Sequence, residues 1–173
     1  MWLGVLAVVV LAAGGCRGSD ESTASPSTVL EPNARVVRVV DGDTLVVHIG
    51  GDDERVRLIG IDTPESVKPE TPVECWGKEA SATTAELLPK GTAVRLERDA
   101  EARDAYDRLL AYVRRATDGL LVNVELARRG AADALTIEPN TAYRSEIAAA
   151  VADARAAGRG LWAVCGGPHE RSP

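Results

Sequence analysis

RVVRVVDGDTLVVHIGGDDERVRLIGI, residues 35–61, decides the architecture. It holds three runs rich in β-branched residues, at 36–40, 45–49 and 55–61, and such residues favour the pleated backbone of a strand. Asp41-Gly42 and Gly50-Gly51-Asp52-Asp53 separate the runs, and both are turn signals. The stretch therefore predicts a three-stranded antiparallel meander. Downstream, residues 76–88 are helical in composition and are stopped by Pro89 and Gly91. Two further strands are expected at 92–98 and 109–114. Residues 121–129 read as a short helix ended by Gly130. Asn140 or Thr141 is placed to cap a last helix whose Tyr143, Ile147, Val151 and Ala154 share one stripe, with Gly158 at its end. Five short strands with a helix after the third predict an α+β protein, a five-stranded OB-type Greek-key barrel carrying about three packed helices. The expected domain spans 35–166, with a short tail at 167–173.

Upstream, residues 2–13 form an apolar run too short to span a bilayer and suited to a signal-peptide core. Ala13-Gly14-Gly15 before Cys16 resembles a lipoprotein cleavage box, which makes 1–15 a signal peptide and Cys16 a lipidation candidate. Ala13 stands where Leu is favoured and no Lys or Arg precedes the run, so ordinary signal-peptidase cleavage and a misassigned start codon stay open, as does a short buried helix. Residues 16–34, rich in Ser, Thr, Pro and acidic groups, offer little to bury and read as a disordered tether. The expectation is export, to the outside of the cell or the outer face of its membrane, with membrane contact only through the lipid. If Cys16 is acylated, Cys75 and Cys165 remain as a pair in an oxidising compartment, with two free buried thiols as the alternative.

Charge and composition narrow the function classes. The net charge is −6, and leaving out the one basic and three acidic residues of 1–34 still leaves −4. That excludes a protein that coats nucleic acid through phosphate neutralisation, but not an enzyme reaching phosphate through a metal and a few arginines. Only His48 and His169 are histidines and there is no C-x-x-C, which argues against zinc.

Three stretches carry chemistry: Asp41-Gly42-Asp43-Thr44; Arg57-Leu58-Ile59-Gly60-Ile61-Asp62-Thr63-Pro64-Glu65; and Asp104-Ala105-Tyr106-Asp107-Arg108 with Leu109 to Tyr112. Each alone has a plain reading, as a turn, a helix start or a surface arginine. Together, with Trp76-Gly77-Lys78-Glu79-Ala80, Leu121-Val122-Asn123 and Gly160-Leu161-Trp162, they resemble the staphylococcal nuclease family in order and spacing from about Arg35 to Trp162. The resemblance implies a calcium-dependent nuclease acting on DNA and RNA by attack at the 5′-oxygen side, leaving 3′-phosphate ends. It implies that Asp43, Asp62 and the carbonyl of Thr63 ligate Ca²⁺, a cation that takes oxygen donors and tolerates water in its shell. Asp41 would act through water or as support. Glu65 would be the general base, Arg57 and Arg108 the phosphate clamps, and Tyr106 a contact to phosphate or sugar.

Arg57 and Asp62 lie five positions apart, and on a regular strand their side chains would leave opposite faces. One shared site therefore requires an irregularity near 60–62, where Gly60 is suited to it. The chain also departs from the family pattern. Ala105 replaces a lysine, Leu135 and Ile137 stand where tyrosines stack on a base, and the 130–140 connection is about one residue shorter. Base–aromatic stacking contributes about 1–3 kcal/mol per base, so weaker substrate binding is expected. The competing readings are a non-catalytic OB-type module binding nucleic acid or protein, and a calcium-stabilised surface domain; neither explains why Glu65, Arg57 and Arg108 accompany the carboxylates. A monomer is the default.

Overall fold

A computed structural model describes residues 29–67 and 72–168. The expected signal peptide of 1–15, Cys16, most of the expected tether and the last five residues of the expected tail lie outside the described residues. Five strands close a barrel in the order β1 (Ala34–Asp41), β2 (Thr44–Ile49), β3 (Asp52–Leu58), β6 (Leu109–Arg115) and β5 (Ala93–Glu97). The meander β1–β2–β3 is antiparallel, β3 runs parallel to β6, and Ala34↔Val94 with Arg35↔Ala93 closes the barrel. Val94 and Leu96 point inward from β5 while Arg95 between them is exposed, the period-two alternation of a strand with one wet face. Leu45, Val47, Val56, Leu58 and Val113 complete the interior.

Two register shifts interrupt the β1–β2 ladder, between Val36 and Arg38 and between Val39 and Asp41. Bulges bend a strand and re-aim its side chains, and the second brings Asp41 to the turn buried. Helix α1 (Gly77–Leu87) covers the barrel with Ala80, Thr84 and Leu87. Helices α2 (Val122–Arg128) and α3 (Arg144–Ala156) pack on each other, α3 through Ile147, Ala150, Val151 and Ala154.

Several sequence expectations are corrected. The third strand does not run through to 61: it ends at Leu58, and β4 (Gly60–Asp62) leaves the barrel to pair with β7 (Asp133–Leu135). A fourth helix, α4 (Leu161–Val164), follows α3. Asn140 and Thr141 do not cap α3, whose N-cap is Tyr143 without a side-chain bond. Asn140 instead takes the Glu101 N–H on Oδ1 at 2.8 Å and donates Nδ2 to the Glu101 carbonyl at 3.2 Å. Within the expected tether, residues 30 and 33 meet the barrel. Leu30 N donates to Ala116 O, and the Asn33 side chain bonds both main-chain groups of Leu96, so the chain is fastened to the barrel from Leu30.

A disulfide joins Cys75, just before α1, to Cys165 at the end of α4 across 90 residues of sequence. Cross-linking a loop of that length removes denatured-state entropy equivalent to roughly 4–5 kcal/mol in the chain-entropy model. The double variant Cys75→Ser/Cys165→Ser is therefore expected to lose about 4 kcal/mol of stability in urea unfolding. A loss under about 1 kcal/mol would mean that the contacts around α4 hold this end without the bridge.

Candidate active site

The β1–β2 turn brings Asp41 and Asp43 to the barrel rim, both buried. Gly42 between them packs on Thr63 so tightly that a Cβ there would lie 2.6 Å from Thr63 Oγ1. A side chain would push the two segments apart, which is the physical reason for glycine in this turn. The approach lets Asp43 Oδ2 accept from Thr63 N–H and Thr63 Oγ1, both at 3.2 Å, while its Oδ1 accepts from Thr44 Oγ1 at 3.0 Å. Thr84 of α1 pins the turn from below, its hydroxyl donating to the Gly42 carbonyl at 2.5 Å.

Arg57, at the end of β3, organises the neighbouring segment. Its Nη1 donates to the carbonyls of Leu58 at 2.7 Å and Ile61 at 3.0 Å, and its Nη2 donates to Asp62 Oδ1 at 2.9 Å. Nη1 also lies 3.1 Å from Asp43 Oδ2. Asp43 and Asp62 thus share one guanidinium. The chain between Arg57 and Asp62 wraps around it because the strand breaks at Ile59 and turns at Gly60, whose φ is +83°. The irregularity that the five-residue spacing demanded is present, and it begins one residue before the expected 60–62.

Arg108 enters from the loop before β6. Asp104 holds it twice, accepting from Arg108 N–H on Oδ1 at 2.9 Å and from Nε on Oδ2 at 2.7 Å. Burial by itself raises the Asp104 carboxyl, but the N–H of Arg108, its guanidinium and the N–H of Tyr106 outweigh it, and the net direction is downward. Asp104 therefore stays ionised at neutral pH and fixes Arg108. The two terminal NH₂ groups of Arg108 have no hydrogen-bond partner among the described residues. Because β3 and β6 are parallel neighbours, Arg57 and Arg108 line one cleft of about 220 Å³. Its apolar wall includes Leu135 and Ile137, so aliphatic side chains occupy the place where stacking tyrosines were noted as missing. Tyr106 is 83% exposed, with its ring 5.7 Å from the Arg108 Cζ, and lies outside the cleft lining.

Glu65 is half-buried on the segment after Asp62. Its Oε1 accepts the N–H of Ser66 at 3.1 Å and of Val67 at 3.0 Å. Asp41 serves this segment: its Oδ1 accepts from Gly42 N–H at 2.8 Å, from Ser66 Oγ at 2.5 Å and from Ser81 Oγ at 2.9 Å. That is a structural anchor between the first turn, α1 and the residue following Glu65. Sequence reasoning missed Ser66, Ser81, Thr84 and Glu74, none of which has a spacing signature. Asp104 stood within a quoted motif, but it meets Arg108 across a non-helical turn, where the spacing carries no signature of its own.

Asp43 and Asp62, with the Thr63 carbonyl between the segments, offer only oxygen donors. Asp43, nearly buried, and Asp62 both lie against the Arg57 guanidinium. Among the described residues no three His, Cys, Asp or Glu side chains converge in metal-holding geometry. A cation here would draw on two carboxylates, a carbonyl and water, a set that fits Ca²⁺ and not Zn²⁺.

The chain is similar to known proteins over most of its length. The family profile described as Staphylococcal nuclease homologue matches residues 55–164. The Thermonuclease of Staphylococcus intermedius is 43% identical over 157 residues, covering 91% of this chain and 92% of that protein. The Thermonuclease of Staphylococcus hyicus is 39% identical over 159 residues, with 91% and 92% covered. The Endonuclease YncB of Bacillus subtilis is 37% identical over 136 residues, 78% of this chain and 63% of that protein.

Proposed function

This chain belongs to the staphylococcal nuclease homologue family, and from that premise we propose that it is a calcium-dependent nuclease that hydrolyses phosphodiester bonds of DNA and RNA. The observation that carries the reading is the convergence of Arg57 on both the Asp43–Asp62 pair and the cleft it shares with Arg108. A phosphate entering that cleft meets the free amino groups of Arg108 and lies beside the carboxylates. Planar guanidinium groups fixed in place by Asp104 and by main-chain carbonyls suit the charge that builds on a pentacoordinate phosphorus, since they need no reorganisation during reaction. Glu65 takes the proton of the attacking water and so raises its nucleophilicity. Asp43, Asp62 and the Thr63 carbonyl would hold calcium, which would supply Lewis-acid polarisation of a phosphate oxygen. Tyr106, exposed beside Arg108, would contact an outer phosphate or sugar.

Export follows the same reading. The leader-like 1–15, the acylation candidate Cys16 and the disulfide between Cys75 and Cys165 support a protein working outside the cell or on the outer face of its membrane, as a monomer. Calcium is abundant there, which suits a site with few protein ligands. The test is release of acid-soluble nucleotide from heat-denatured DNA by the full-length protein, with calcium and with chelator. Chelation is expected to lower the rate by about 100-fold or more, and calcium to restore it. A folded protein that releases nothing in calcium rejects the enzyme and leaves a non-catalytic binding module.

A further inference from the structure

No helix or strand carries the proposed base: residues 63–67 lie outside both. The main chain of Glu65 is instead held by Glu74. Glu65 N–H donates to Glu74 Oε2 at 2.9 Å, and Glu74 N–H donates to the Glu65 carbonyl at 2.9 Å. Both main-chain polar groups of Glu65 are therefore satisfied by Glu74, one by its side chain and one by its backbone. Glu74 is itself anchored. Its carbonyl accepts Gly77 N–H at 3.0 Å, and its neighbour Cys75, buried, is tied by the disulfide to α4. Gly77 presses on the same spot, since a Cβ there would lie 2.5 Å from the Glu65 carbonyl oxygen. The Glu65 carboxylate folds back on the N–H groups of Ser66 and Val67, so the direction of the carboxylate follows the local backbone.

We propose that Glu74 is a positioning residue for the base: its carboxylate grips the Glu65 amide and sets the direction in which the Glu65 side chain meets the attacking water. The inference rests on Glu65 being that base. An ionised acceptor on a main-chain N–H makes a stronger bond than a neutral one, which gives a carboxylate a reason to be there beyond filling space. The disulfide to the end of α4 and Gly77, the first residue of α1, hold the far side of Glu74.

Misplacing a reacting group by about 1 Å costs on the order of 100-fold in rate. Glu74→Ala in the full-length protein is therefore expected to lower kcat by roughly 10–100-fold with KM for denatured DNA little changed. Glu74→Gln, which keeps an oxygen acceptor, should recover most of that loss. On a Glu65→Gln background, Glu74→Ala should cost less than about twofold, because the base it positions is already gone. An equal loss on both backgrounds overturns the proposal and makes Glu74 a general structural residue. Amide hydrogen exchange supplies a reading independent of turnover. Glu74→Ala should speed exchange at the Glu65 amide by roughly tenfold or more while amides of β2, β5 and β6 keep their protection. Wild-type protein that cuts nothing rejects the nuclease reading, yet the exchange is still measured on it. A Glu65 amide indifferent to Glu74→Ala overturns the clamp in either case.

Discussion

Glu65→Gln is expected to lose about 10²–10⁴-fold in kcat, the usual contribution of a general base, with KM for single-stranded DNA nearly unchanged. The substitution is informative because of how the side chain is held. Glu65 Oε1 accepts from two main-chain N–H groups, and a glutamine oxygen can keep both bonds. The main-chain pairing with Glu74 involves no atom that the change removes from Glu65. What disappears is the ability to take a proton at neutral pH. Loss should therefore fall on the chemical step, and the thermal midpoint should stay within a few degrees of wild type. Steady-state kinetics on denatured DNA in saturating calcium, beside a melting curve, checks both halves. A kcat within about threefold of wild type would assign the proton to another acceptor. A large rise in KM with kcat intact would make Glu65 a substrate contact instead.

Much of the barrel was legible because its signals are local. The three runs of 35–61 and the Asp41-Gly42 turn predict the β1–β2–β3 meander, and Val94 with Leu96 mark β5 by alternation. Features set by distant partners were not legible. β7 is three residues long and exists because β4 leaves the barrel to meet it, so Asp133–Leu135 carries no strand pattern of its own. Asn140 has the composition of a helix cap, yet a better offer from both main-chain groups of Glu101 takes its side chain. α4 is a single turn, too short to show periodicity.

The site divides in the same way. The family resemblance placed Asp43, Asp62 and Arg57 in one site, and for such a shared site the spacing of Arg57 and Asp62 called for the break that Gly60 provides. It did not place the supports. Ser66 and Ser81 meet Asp41 from 25 and 40 residues away, and Thr84 reaches Gly42 from 42. Such contacts arise only once α1 is laid across the turn. Asp41, expected to act through water or as support, has its Oδ1 occupied by two hydroxyls and a main-chain N–H, and so is placed to brace the segment that carries Glu65.

Arg57→Ala carries a double expectation that separates its two jobs. Removing a preorganised cation from the phosphate should lower kcat/KM by about 10²–10³-fold. Without calcium, the same change takes the guanidinium away from Asp43, whose side chain is 10% exposed, and from Asp62. Breaking a buried pair by deleting one partner costs about 3–5 kcal/mol, and about 3 is expected here because Asp43 keeps its bonds from Thr63 and Thr44. The carbonyls of Leu58 and Ile61 also lose their donor, so the bend at Gly60 should loosen. Two carboxylates without their guanidinium should attract calcium more strongly, so calcium should raise the melting temperature of Arg57→Ala more than that of wild type. Arg57→Lys refines the point. A lysine restores charge near Asp43 but lacks the planar fork that reaches Asp62 and two carbonyls together. It should recover more stability than activity. Wild-type activity in Arg57→Lys would remove the fork from the mechanism. Calcium stabilising Arg57→Ala less than wild type would show that Arg57 helps to build the cation site and does not compete with the ion for the same carboxylates.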